Sequence, residues 1–271
     1  MAITAAMVKS LREKTGAGMM DCKKALVENN ADEAAALDWL RQKGLSKAEK
    51  KAGRATSEGL VGCVVEAKRA AIAEFKCETD FVARNEKFQE TAKKFAQDVL
   101  ENGAEGFVER VAADVTDSIA TLGENMSAGR AARIELSGEG IIGSYVHSNG
   151  KIGVLVEILG SDDADVAKGI AMQIAATNPV AIDESGVPAE LVEREREVQR
   201  QKTLEEGKPE NIVEKIVDGR MAKFFKEITL VNQPYIRDDK MTIKDLLKGA
   251  TIASFARFEL GEDAASEEEA E

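Results

Sequence analysis

The nine residues CETDFVARN, Cys77 to Asn85, place a thiol, two carboxylates and a phenyl ring within five positions and follow them with an arginine. Nucleophilic catalysis is the first chemistry such a group suggests. A nucleophilic Cys77 needs a base and an oxyanion site, yet the one histidine of the chain, His147, lies seventy residues on, and spacing assigns it no Ser or Asp partner. Two other uses remain open. Asp80 can be a cap or turn residue with Phe81 folded back as a staple. Alternatively, the loop can project acid and ring together as a wedge into a dry, polar crevice of another protein.

The element that must present this loop is the strand AAIAEFK, whose period of two puts Ala71, Ala73 and Phe75 on one face and Ile72, Glu74 and Lys76 on the other. Asp80 then falls in the connection to a helix expected from Glu86 to Glu101. His147 is expected at the end of another strand, beside the turn SNGK, as a surface polar group. Met19 and Met20 open a short helix and are followed by Asp21, Lys23 and Lys24. Adjacent helical positions diverge by about 100°, so at least one of the two methionines is expected to face outward, beside basic residues that suit a protein-binding patch.

Neither GxxxxGK[ST] nor GxGxxG occurs after a strand, and GAGMMDCK follows a helix, so nucleotide binding by the chain itself is disfavoured. Cys22, Cys63 and Cys77 match no zinc or redox spacing and read as buried small hydrophobes, leaving no metal or cofactor expected. A formal net charge of −12 argues against affinity drawn from nucleic-acid phosphates and favours a protein or small-molecule partner. Residues 1–54 run the other way, with 11 Lys and Arg against seven Asp and Glu. The closing segment GEDAASEEEAE, Gly261 to Glu271, has six acids and reads as a disordered solvating end. With no apolar core of signal-peptide length in MAITAAMVKSLREKTG and no 18-residue apolar run, a soluble cytoplasmic protein without membrane contact is expected.

The fold class expected is α+β. Three helices come first: one capped by Thr4, one from about Met20 to Asn29, and one from Asp32 to about Lys43 through Leu37, Trp39 and Leu40. GLSKAEKKAGRATS, Gly44 to Ser57, lacks an apolar stripe and reads as a tether with some helical content. The body then repeats itself. GLVGCVVEAKRAAIAEFK from Gly59 and GIIGSYVHSNGKIGVLVEIL from Gly140 share a Gly-apolar-apolar-Gly start and two strands, each pair followed by a helix, and AARIEL and FARFEL close the two copies. Each copy therefore reads as a three-stranded antiparallel sheet covered by helices on one face. The first copy adds a helix over Gly106 to Leu122 through Val108, Val111, Val115 and Ile119. The second adds a helical hairpin at about 188–226 and a short helix from Thr242 to Leu247. The divisions expected are 1–54, 55–139, 140–260 and 261–271.

LREKTGAGMMDCKKAL, Leu11 to Leu26, and TDFVARN, Thr79 to Asn85, resemble the paired signatures of the bacterial translation elongation factor Ts family. The likeness continues through GSYVH at 143–147, IGVLVE at 152–157, GKPENIVEKIVDGRMAKF at 207–224, NQPY at 232–235 and FARFELGE at 255–262, covering essentially the whole chain in family order. One departure precedes Cys77, where the family has an aliphatic residue and Asn and this chain has Phe75 and Lys76, which bears on local strand packing. The resemblance implies a bundle similar to ubiquitin-associated (UBA) domains, a core of two repeated subdomains, a protruding hairpin, and guanine-nucleotide exchange on the GTPase elongation factor Tu without covalent chemistry. It further implies that the loop Thr79, Asp80, Phe81 and Val82 enters the GTPase near its magnesium site, with Asp80 and Phe81 as the wedge. His147 would touch the partner from the second subdomain, and Met19, Met20 and Lys23 would hold it through the bundle. For the hairpin, a homodimer, a 2:2 complex or contact with the GTPase alone stay open. The competing readings are a UBA-type adaptor that binds through the bundle alone and a cysteine enzyme that uses Cys77.

Overall fold

A computed structural model describes residues 2–262. The element order begins with α1 (Ala5–Thr15), α2 (Met19–Glu28) and α3 (Glu33–Lys51). Thr4 and Asp32 cap α1 and α3, accepting from Met7 N–H and Ala35 N–H. Val8, Leu11, Cys22, Ala25, Leu26 and Ala36 close a small core between them. Two expectations for this region need correction. The third helix does not stop near Lys43, and Leu37 is exposed. Its second half needs no apolar stripe because small residues face a neighbour: Gly44 lies against Ala120, and Ala48 packs on the core beyond.

The first sheet joins β1 (Glu58–Val65), β2 (Arg69–Cys77) and β3 (Met126–Glu135) in the order β1-β2-β3. Between β2 and β3 run α4 (Asp80–Ala83), α5 (Glu86–Asn102) and α6 (Phe107–Leu122). The second sheet joins β4 (Gly140–Val146), β5 (Ile152–Leu159) and β8 (Thr251–Glu259), again antiparallel, with α7 (Ala164–Thr177) after its second strand. Before β8 come the hairpin α8 (Ala189–Glu205) and α9 (Glu210–Ile228), the two-stranded ribbon β6 (Pro234–Tyr235) and β7 (Asp238–Thr242), and α10 (Ile243–Leu247). The ribbon was not anticipated from the sequence. On α6, Phe107 is buried in place of Val108, which is exposed.

The repeated Gly-apolar-apolar-Gly start has a packing cause. A Cβ on Gly62 would lie 2.0 Å from the carbonyl oxygen of Ala92 on α5, and one on Gly143 would lie 2.4 Å from that of Ala167 on α7. In each copy a helix backbone rests directly on the first strand. Phe75, at the departure from the family pattern, stacks on Phe88 at 4.2 Å and meets Phe95 edge-on at 4.8 Å, so that face of β2 is an aromatic core.

The opposite sheet faces are also covered, because the two sheets pack on each other. Val61, Ala70, Ile72, Ile134, Ile142 and Leu155 form the layer between them. Beside that layer each copy buries a glutamate at the equivalent position, next to a register shift. Glu74 pairs with Arg130 at 2.6 Å and with Lys76 at 3.5 Å. Glu157 accepts from the backbone and hydroxyl of Ser137, both at 2.7 Å, and from the Ser254 hydroxyl at 3.0 Å. Of the closing acidic segment, Glu262 ion-pairs with Arg257 and Arg130; residues 263–271 lie outside the described residues.

Candidate functional site

The loop after β2 does not let Phe81 fold back. Thr79 caps the single turn α4, its hydroxyl accepting from Val82 N–H at 3.4 Å, and Ala83 is buried in the first core. Phe81 stands between them 81% exposed, which removes the staple reading. Asp80, in the first turn, pairs with Arg84 at 2.8 Å, and Asn85 caps α5 through Lys87 N–H. The base of the loop is fixed from elsewhere in the chain. Glu124 accepts from Thr79 N–H at 3.0 Å and from its hydroxyl at 2.6 Å, while Asn125 N–H donates to Glu78 at 2.5 Å. Neither Glu124 nor Asn125 was picked out from the sequence; no motif links them to a loop 45 residues away.

A groove of about 820 Å³ runs beside this loop. Asp80 contributes from α4 and Arg84 from just past its end, Leu60 and Cys63 from β1, and His147 and Asn149 from the turn after β4. The structure therefore brings Asp80 and His147 to one feature. That turn is seated on the first sheet, since Val61 N–H donates to Gly150 O at 2.8 Å and Lys151 pairs with Glu58 at 2.7 Å. His147 itself is exposed, with Nδ1 3.1 Å from the Asn149 side-chain oxygen.

Met19, Met20 and Lys23 lie outside this groove, on α2. Both methionines are exposed, at 57% and 73%, in line with the expectation of at least one, and Lys23 and Val27 continue the face. Asp21 turns the other way. Its carboxylate takes hydrogen bonds from Lys43 at 2.6 Å and Lys47 at 2.7 Å, which hold it below the usual carboxylate range and fasten α2 to α3.

Chemistry at Cys77 finds no support in this geometry. Burial, reinforced by the nearby Glu124 carboxylate, pushes its thiol up to about 12, and the thiol donates to Thr79 O at 3.2 Å. Burial likewise raises Cys63, to about 11. Among the described residues no group of three or more His, Cys, Asp or Glu side chains is placed to hold a metal ion, and no helix is long and apolar enough to cross a membrane.

The sequence profile of the family described as Elongation factor TS matches residues 78–262. The Elongation factor Ts of Nitratidesulfovibrio vulgaris (strain DP4) is 60% identical over 289 aligned positions that cover all of both chains. The chain belongs to the elongation factor Ts family. Elongation factor Ts of Desulfovibrio desulfuricans is 51% identical over 96% of this chain and 98% of its own, and that of Lawsonia intracellularis 47% identical over 97% and 100%. These alignments take in the helical bundle that the profile match leaves out, so membership in the elongation factor Ts family rests on the bundle as well as on the two sheets. The chain is a translation elongation factor by that membership.

Proposed function

We propose that this chain exchanges the nucleotide of elongation factor Tu, binding its GDP form and releasing GDP by inserting Asp80 and Phe81 near the magnesium and nucleotide site. The observation that carries the reading is Phe81, a ring left 81% in solvent on one anchored helical turn. An exposed ring of that size contributes nothing to its own core, and buried in a partner it is a binding anchor. Asp80 lies beside it with a carboxylate that can trade Arg84 for partner groups. His147 approaches from the far side of the groove, and Met19, Met20 and Lys23 offer a second contact from the bundle. Thr79 and Val82 shape the turn.

The thermodynamics ask for differential contact. A factor that stabilises a GTPase state with poor affinity for GDP and magnesium lowers GDP affinity by the same ratio as GDP lowers affinity for the factor. The complex then turns over, and no covalent step in this chain is needed. The proposed setting is the cytoplasm. Exposed Val198, Leu204 and Ile212 on the hairpin leave a surface for a homodimer or a 2:2 assembly.

Release of a fluorescent GDP analogue from elongation factor Tu, with and without this protein, tests the proposal. Stimulated release is expected from the native chain, and a loss of about 30-fold or more from Asp80→Ala with Phe81→Ala, the scale of an interface hot spot. Undiminished stimulation by that double variant defeats the wedge. The adaptor reading predicts that the bundle, residues 1–54, binds about as well as the full chain, with no stimulation in either case.

A further inference from the structure

A helical turn of four residues has no stability of its own, so the direction of α4 must come from what holds its ends. Ala83 anchors the far end in the core. At the near end the carboxylate of Glu124, in the connection between α6 and β3, accepts twice from one residue, Thr79. The Thr79 hydroxyl donates to Glu124 and accepts from Val82 N–H, so the same contact that holds the loop also starts the turn. Hydrogen bonds to an ionised acceptor are the strong ones, and two to one residue fix an orientation as well as a distance. The connection is itself held. Asn125 donates its side-chain amide to Arg54 O at 2.7 Å, and Lys51, at the end of α3, donates to Gly123 O. Glu124 is half-buried and does not line the groove, so its effect on a partner passes through the loop.

From this geometry we infer that Glu124 is a positioning residue for exchange, setting the direction in which Asp80 and Phe81 leave the protein. The inference rests on the wedge reading above. Its consequence is that Glu124 controls how fast nucleotide leaves the bound GTPase, and not how tightly the GTPase is first engaged. The Met19, Met20 and Lys23 face on the bundle is untouched by the substitution.

The test measures release of a fluorescent GDP analogue from elongation factor Tu across a range of factor concentrations, for the native chain, Glu124→Ala, Phe81→Ala and the double variant. Glu124→Ala is expected to lower the maximal stimulated rate about tenfold, with the half-saturating concentration unchanged within about twofold. In the Phe81→Ala background it is expected to add nothing, because a residue acting through the ring has nothing left to direct. Additive losses, or a native maximal rate for Glu124→Ala beside a reduced one for Phe81→Ala, overturn the inference alone. A native rate for Phe81→Ala removes the wedge reading, and this inference with it. Should Glu124→Ala lose its native circular dichroism, Thr79→Val takes the hydroxyl away from the opposite side. The same fall in maximal rate is then expected, with Thr79→Ser restoring it; equal rates for the Val and Ser variants refute the role.

Discussion

Replacing Gly62 by alanine tests whether contact between helix and strand backbones holds each repeat together. The new Cβ would stand 2.0 Å from Ala92 O, 2.6 Å from Ala92 C and 3.3 Å from Lys93 N. Ordinary carbon contacts lie at about 3.5–4.0 Å, so α5 must retreat by more than about 1 Å. No flexible side chain can absorb that shift, because the obstructing atoms are backbone. The helix carries Phe88, Phe95, Ala96, Val99 and Leu100 into the core, and all of them move with it. Overpacking costs about 1–3 kcal/mol, and a backbone clash belongs at the upper end, about 3 kcal/mol. For a chain of this length each kcal/mol lowers the thermal midpoint by about 2–4 °C, so a fall of about 6–12 °C is expected by circular dichroism. Gly143→Ala, 2.4 Å from Ala167 O, should reproduce it in the second copy. Gly18→Ala is the control, since no heavy atom lies within 4 Å of that position and φ there is −58°. Its expected change is within about 0.5 kcal/mol. Midpoints for Gly62→Ala and Gly143→Ala within about 2 °C of native would refute the close-packing account.

Two further outcomes follow from the titrating groups. With its thiol pushed up to about 12, Cys77 should resist iodoacetamide at pH 8 in the folded protein and react once denatured, and Cys77→Ala should leave nucleotide release unchanged; native labelling at the rate of a free thiol contradicts this. Burial pushes the Glu157 carboxyl up, but hydrogen bonds from Ser137 and Ser254 more than offset it, so it titrates below the usual glutamate value. A depressed folded value contributes stability that is fully present above the unfolded value and lost as pH falls through the folded one. Native protein should therefore exceed Glu157→Gln in stability by denaturant titration at neutral pH, and the gap should shrink as pH falls below the ordinary glutamate value of 4.5 and through the lower folded one. A gap independent of pH would show that the carboxylate charge is not what the site holds.

What was legible in the sequence was whatever local periodicity and punctuation encode. The two repeats, their helices and the hairpin followed from glycine spacing, alternation and the GKP break, and Thr4 and Asp32 cap where their side chains predict. The run of α3 past Gly44 was not legible, because an apolar stripe is the usual helix signal and here Gly44 and Ala48 face α6 instead. Alternation in β2 gave both faces correctly but not what covers the second one, since a sheet from the other copy lies 80 residues away in the chain and no local pattern names it. At the site, the exposure of Met20 and Phe81 is the kind of conflict between hydrophobicity and position that a partner resolves, and the sequence left Phe81 undecided between staple and wedge. Glu124 was invisible for a further reason: an acid in a turn is unremarkable until the backbone it receives from is known.

The seating of the β4–β5 turn on β1 also covers part of a sheet edge. β1 is an edge strand, and its residues GLVGCVV form an uncharged apolar run of the type that pairs with other chains. Gly150 O occupies the Val61 N–H and Lys151 meets Glu58 at the strand's start, so the first half of that edge is occupied by the protein's own turn. The turn that brings His147 to the groove thereby also covers part of an apolar edge, and any state in which the two sheets part would uncover the Val61 end of that strand.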